Sequence, residues 1–140
     1  MTSCIFCDII NGKAPSSRVY EDETCLVFMD IQPINAGHLL VVPKVHATDL
    51  SDLPPETGGK MFQVAQKMTD AVMNSGIRCE GVDLLLAHKP AAGQEVFHAH
   101  LHVIPRYQGD GFKFVIPFDH HPTQEELEQT AAQIKQTFQK

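Results

Sequence analysis

The sequence predicts an α+β fold: a mainly antiparallel sheet of about five strands, one long central helix and a C-terminal helix. Three observations point there. Apolar residues recur with helical period over residues 56–75 and again over 127–138. Short β-rich runs, bounded by turn residues, stand before and between those two stretches. The order of two strands, a third strand, a helix, two strands and a helix suits a sheet with helices packed on it rather than alternating βα units. At 140 residues, without an internal repeat, low-complexity stretch or long linker, residues 1–140 are expected to form a single domain.

Taken in order, residues 6–10 read as a short helix stopped by Asn11-Gly12. Residues 19–21 and 24–29 read as strands about a turn at Asp22-Glu23. Residues 39–42, all apolar ahead of Pro43, read as a strand covered on both faces. Over 56–75, Met61, Val64, Ala65, Met68, Val72 and Ser75 mark one helix face, and Gly76 supplies a stop. Gly58-Gly59 weakens the first turn of that helix. Residues 82–87 and 96–105 read as the fourth and fifth strands. Thr123-x-x-Glu126 is a capping box, followed on one face by Leu127, Ala131, Ile134 and Phe138.

Composition narrows the function classes. Hydrophobic residues at 43% and charged residues at 20% fit neither a disordered nor a membrane protein, and no apolar run nears the ~20 residues of a span. The start, Met1-Thr2-Ser3-Cys4, lacks the basic stretch and apolar core of a secretory signal, so a cytoplasmic location is expected. A net charge of −6 argues against a general nucleic-acid binder; an anionic ligand must be held by local donors. Of four cysteines, Cys25 lies in an apolar run and reads as core, Cys79 has no assigned role, and Cys4-x-x-Cys7 has the spacing of a metal knuckle or redox pair.

The eight histidines are the compositional oddity, and three fall together in Val96-Phe97-His98-Ala99-His100-Leu101-His102-Val103-Ile104-Pro105. On a strand, His98, His100 and His102 share one face at steps of about 6.6 Å, while Phe97, Ala99, Leu101 and Val103 face the core. Such a row serves either as a metal site or as a nucleophile with acid–base partners, and spacing does not choose between them. The preceding Ala91-Ala92-Gly93-Gln94 is a small loop whose backbone N–H groups suit a phosphate, though an ordinary hairpin turn has the same composition.

The segment from Gly93 to Ile104 resembles the defining motif of the histidine triad (HIT) family of nucleotide hydrolases and transferases. The likeness continues in Cys4-Ile5-Phe6-Cys7-Asp8-Ile9-Ile10, Tyr20-Glu21-Asp22, Phe28-Met29-Asp30-Ile31 and Gly37-His38-Leu39-Leu40-Val41-Val42-Pro43-Lys44. It spans residues 4–107; the extension over 108–140, with its helix, is not diagnostic. The resemblance implies that His100 is the nucleophile attacking the α-phosphorus of a purine nucleotide, giving a nucleotidyl-histidine that water cleaves. It implies that His102 touches the same phosphate and that His38 completes the catalytic set. A backbone carbonyl accepting from His100 Nδ1 would leave Nε2 free to attack. Nucleotide-binding positions implied are Ile5, Phe6, Ile9, Phe28 and Ile31 around the base, Asp30 on the ribose hydroxyls, and Gly93, Gln94 and Glu95 at the phosphates. Unaided, Asp30 reads as a turn residue and Phe28 as core. Two positions depart from the family pattern: Ala87 stands where an amide residue is usual, and Glu95 where Ser or Thr is common.

The resemblance also implies a structural zinc held by Cys4, Cys7, His46 and the first triad histidine, His98; two thiolates and two imidazoles leave no open position. No organic cofactor is expected. The substrates implied are nucleoside phosphoramidates or adenylated small molecules. Alternatives are a dinucleoside polyphosphate hydrolase, a nucleotide-binding sensor or adaptor with little turnover, and a metalloenzyme using His98, His100 and His102 as ligands. A homodimer is expected from the family and from the need to cover an exposed sheet edge.

Overall fold

The computed structural model describes residues 3–117 and 119–139. Its elements are α1 (Ile5–Ile10), β1 (Arg18–Glu21), β2 (Cys25–Met29), β3 (Leu39–Pro43), α2 (Pro55–Met73), β4 (Gly81–Leu85), β5 (Leu101–Arg106) and α3 (Gln124–Phe138), with a 3-10 turn at Pro90–Ala92. The strands form one sheet in the order β1-β2-β3-β5-β4, antiparallel at every pairing. This is the expected α+β arrangement.

Strand alternation sorts the core into two layers. Cys25 and Val27 of β2, Leu39 and Val41 of β3, and Leu101 and Val103 of β5 meet the α2 stripe of Met61, Val64, Ala65, Met68 and Val72. Each of the larger of these side chains contributes about 1.5–3 kcal/mol on burial. The opposite face carries Leu26, Phe28, Leu40 and Val42, covered by Phe6 and Ile9 of α1. Pro55 starts α2, its missing N–H costing nothing in a first turn.

The register places the site. Leu40 pairs with both Phe28 and His102, so His102 stands on the α1 face of the sheet. Arg106 closes the far end of β5, donating to the carboxylates of Asp83 and Asp110 and to the Phe112 carbonyl.

The fifth strand is shorter than expected. Residues 96–100 are not in the sheet, because β3 pairs with β5 only through Leu101–Val103 and β4 only through His102–Arg106. Both neighbouring ladders end before His100, so His98 and His100 are not placed by strand alternation. Phe97, expected in the core, is 50% exposed, whereas Ala99, Leu101 and Val103 are buried as expected.

Candidate active site and metal centre

The segment before β5 bends instead of pleating, and backbone contacts hold it. The Ala99 N–H donates to the Ala47 carbonyl at 2.7 Å. This turns His98 and His100 inward toward Phe6, whose ring meets both imidazoles edge-on at 5.9 and 5.1 Å. Both histidines are buried, and the His100 and His102 rings lie 4.9 Å apart.

The hydrogen bonds fix how three of these imidazoles carry their protons. His100 Nδ1 lies 2.8 Å from the His98 carbonyl; a carbonyl only accepts, so Nδ1 carries the proton and Nε2 keeps its lone pair. The Ile34 N–H donates to His38 Nδ1, which puts the proton of neutral His38 on Nε2. That Nε2 lies 2.9 Å from His102 Nδ1 and 3.4 Å from Asp30 Oδ2. His102 therefore accepts at Nδ1 and presents Nε2–H as a donor. The main chain thus leaves one imidazole nitrogen unprotonated beside one N–H donor.

His38 reaches this position through a tight turn. Gly37 has φ +91°, and a Cβ there would meet Pro105 and Ile77 side-chain carbons at 3.2 and 3.3 Å. Glycine takes this backbone angle without strain, whereas a Cβ would also require the Pro105 and Ile77 side chains to give by a few tenths of an ångström. Burial lowers the proton affinity of His38, His98 and His100 below the ordinary imidazole value, and brings His102 down to about 4, helped by the neighbouring His100 and His38. All four are neutral at pH 7.

The residues expected around a base divide by exposure. Phe6, Ile9 and Phe28 are buried, with the Phe6 and Phe28 rings in an edge contact at 5.5 Å. Ile5 and Ile31 are exposed at 51% and 94%. Asp30 is half-buried; its Oδ1 accepts from the Gln32 N–H, and Oδ2 turns toward His38 and His102. Gly93 has φ +95° and open space where a Cβ would stand. Glu95 is exposed. Gln94 points inward: its Nε2 donates to the carbonyls of Thr48 and Val96, and its Oε1 accepts from the Lys89 N–H. Its amide is fully engaged with the protein. Sequence reading carried no sign of this role, since the partners lie up to 46 residues away.

A second cluster joins Cys4, Cys7, His46 and His98, whose ligand atoms all lie within 4.8 Å of one another. Cys4 Sγ is 3.4 Å from His98 Nδ1, Cys7 Sγ is 3.3 Å from His46 Nδ1, and the two Nδ1 atoms are 3.1 Å apart. A tetrahedron with zinc–sulfur and zinc–nitrogen bonds of ~2.3 and ~2.05 Å has edges of about 3.3–3.8 Å, so the donor set fits zinc. His98 Nε2 donates to the Pro43 carbonyl at 2.8 Å, leaving Nδ1 unprotonated for a metal. Cys4 also caps α1 by accepting from the Cys7 N–H. Burial, with Cys4 beside it, pushes the Cys7 thiol up to about 11, a penalty that a bound cation reverses. The structure thus separates His98 from His100 and His102: one set of donors faces the thiols, the other faces Asp30 and His38. His120 and His121 are exposed and join neither.

The HIT domain family matches residues 11–109 of the chain. An uncharacterized HIT-like protein of Borreliella burgdorferi is 45% identical over 116 residues, covering 81% of this chain and 83% of its own. An adenylylsulfatase of Arabidopsis thaliana is 36% identical over 107 residues, covering 76% of this chain and 54% of its own. Among solved structures, a HIT family protein of Bacillus anthracis superposes with a TM-score of 0.87 at 41% identity, covering 97% of both chains. A zinc-bound histidine triad family protein of Mycobacterium smegmatis gives 0.77 at 41% identity, over 96% of this chain and 97% of its own. A histidine triad nucleotide-binding protein of Candida albicans gives 0.85 at 29% identity, over 96% of each.

Proposed function

The chain belongs to the HIT domain family, and from that premise we propose that it hydrolyses purine nucleotides at the α-phosphate through a nucleotidyl-His100 intermediate. The single observation that carries this reading is the His100 Nδ1–H bond to the His98 carbonyl, which leaves Nε2 unprotonated beside the His102 donor. His100 Nε2 attacks the α-phosphorus, the N–P bond forms and the bond to the leaving group breaks. Water then attacks the same phosphorus, the N–P bond breaks, and nucleoside monophosphate departs. The leaving group takes a proton from solvent as it departs, and the attacking water returns one to solvent in the second step, so the turnover balances. His102 Nε2–H stabilises charge on a non-bridging oxygen, and Nε2–H of His38 holds His102 in the donating tautomer. Asp30 takes the ribose hydroxyls. Ile5 and Ile31 form the exposed lips of the base slot, and Phe6, Ile9 and Phe28 form its floor.

Nucleoside phosphoramidates and adenylated small molecules are the proposed substrates; the adenylylsulfatase relative acts within that chemistry. Cys4, Cys7, His46 and His98 would hold zinc, which when bound supplies structural cross-linking and no reactive position. The exposed apolar groups of α3 favour a homodimer.

The test is a panel of adenosine phosphoramidate, adenylyl sulfate and a dinucleoside polyphosphate, with intact-mass detection of a trapped nucleotidyl adduct. His100→Ala is expected to abolish turnover and adduct while retaining nucleoside monophosphate binding. Turnover retained in that variant, with an adduct mapped to His102, would overturn the assignment. Binding without turnover on every substrate would favour the sensor reading.

A further inference from the structure

Among the described residues, Lys89 is the one non-glycine with a positive φ, at φ 78° and ψ 157°. That region of backbone space is essentially reserved for glycine, and a side chain persists there only where its surroundings hold it. The surroundings here are specific. Lys89 Nζ lies 2.5 Å from Asp49 Oδ2, and Asp49 is only 5% exposed. The Lys89 N–H donates to Gln94 Oε1, and its carbonyl accepts from the Ala92 and Gln94 N–H groups.

These contacts belong to a longer seam. The loop after β3 meets the loop before β5 residue by residue: Ala47 carbonyl with Ala99 N–H, Thr48 carbonyl with Gln94 Nε2, Asp49 with Lys89, and Ser51 Oγ with His88 Nε2 at 3.3 Å. The Asp49 carboxylate is itself fixed by the Ser51 N–H. The seam's last point, Ala99, is the residue before His100, and His98 on its other side supplies the carbonyl that orients His100 Nδ1.

We propose that the Asp49–Lys89 ion pair is a positioning device: it holds Lys89 in a glycine-only backbone so that the loop sets His100 for attack. This rests on the reading of His100 as the nucleophile. Neither residue hydrogen-bonds or ion-pairs with His38, His100 or His102. The pair acts through Gln94 and the Ala99 N–H, and its effect belongs in the rate of the chemical step rather than in nucleotide affinity.

Two double variants separate this from a direct role of the ammonium group. Asp49→Asn with Lys89→Ala and Asp49→Asn with Lys89→Gly both lack the ion pair and differ only in the Cβ at position 89. Asp49→Asn alone, and the pair with Lys89→Ala, are expected to lose about tenfold in kcat with little change in KM, as for a small misplacement of a reacting group. The pair with Lys89→Gly is expected to recover to within about twofold of the parent, because glycine adopts this backbone unaided. Hydrogen exchange at the Ala99 amide gives a readout independent of turnover: protection falls in the first two variants and returns in the third. Equal slowness of the two double variants, or unchanged kcat and Ala99 protection in Asp49→Asn, would overturn the proposal. Parent protein without turnover on any nucleotide would instead refute the functional reading, and the Ala99 exchange pattern would still decide whether the pair sets the loop.

Discussion

The free imidazole nitrogen of His100 is set by two things: one carbonyl and burial. The His98 carbonyl fixes which nitrogen carries the proton, and burial keeps a second proton off. Because the proton affinity of His100 is lowered from its ordinary 6.5, its reactive form persists into mildly acid solution. The acid limb of kcat/KM is therefore expected below pH 6.5, measured with the parent protein on adenosine phosphoramidate. A limb at or above 6.5 would mean that His100 is not held neutral by its site. Stability follows the same sign. His38, His100 and His102 in the unfolded chain take up protons near pH 6.5 while the folded forms do not, so stability rises with pH through that window and falls as pH drops below it. Urea unfolding at pH 5 and pH 7 should give the lower midpoint at pH 5.

At the scale of elements, α1 is only six residues long and is tied down by its ends. Phe6 and Ile9 pack on the sheet, and Cys4 and Cys7 turn toward His46 and His98. A metal there cross-links α1, the loop after β3 and the segment before β5. Purified protein is expected to carry about one zinc per chain. Cys4→Ser with Cys7→Ser should abolish it and lower Tm by about 5 °C or more, equivalent to ~1–2 kcal/mol at the midpoint. Because His98 also supplies the carbonyl behind His100, activity should fall as well, yet less steeply than stability. Metal analysis and differential scanning calorimetry check this; unchanged Tm on metal loss would remove the structural role. Elements governed by local rules were legible in the sequence: the α2 stripe from Met61 to Val72 and the capping box at Thr123 stand where their residues indicate. The start of β5 was not, because it depends on where β3 and β4 stop pairing, which no local pattern in 96–105 encodes. The triad motif marked His98, His100 and His102 as chemistry-bearing, but strand alternation places only His102; His98 and His100 lie before β5, and His98 faces the thiols. The engagement of Gln94 and the clamp on Lys89 were invisible, since both are made by residues some 40 positions away in the loop after β3.

At the scale of the whole molecule, the carboxyl-terminal arm stands out against the body. Phe114, Val115 and Ile116 are exposed, and so are Leu127, Ile134 and Phe138 along one face of α3. No described residue of α3 is buried. A 15-residue helix in water is marginal on its own, even with a capping box worth about 1 kcal/mol. Its apolar face therefore calls for a covering surface, and a second copy of the chain is the proposed one. Light scattering is expected to give twice the 15.5 kDa chain mass. Leu127→Glu with Ile134→Glu places two like charges on that face and adds to a chain already at −6, so the mass should fall toward that of one chain. Because these substitutions leave the body's core untouched, the sheet and α2 should persist while far-ultraviolet circular dichroism loses about one helix's worth of signal. A double variant that keeps both the dimer mass and full helicity would show that α3 lies outside the interface. A dimer would then rest on another surface, such as the β4 edge, where Leu84 and Leu85 are exposed.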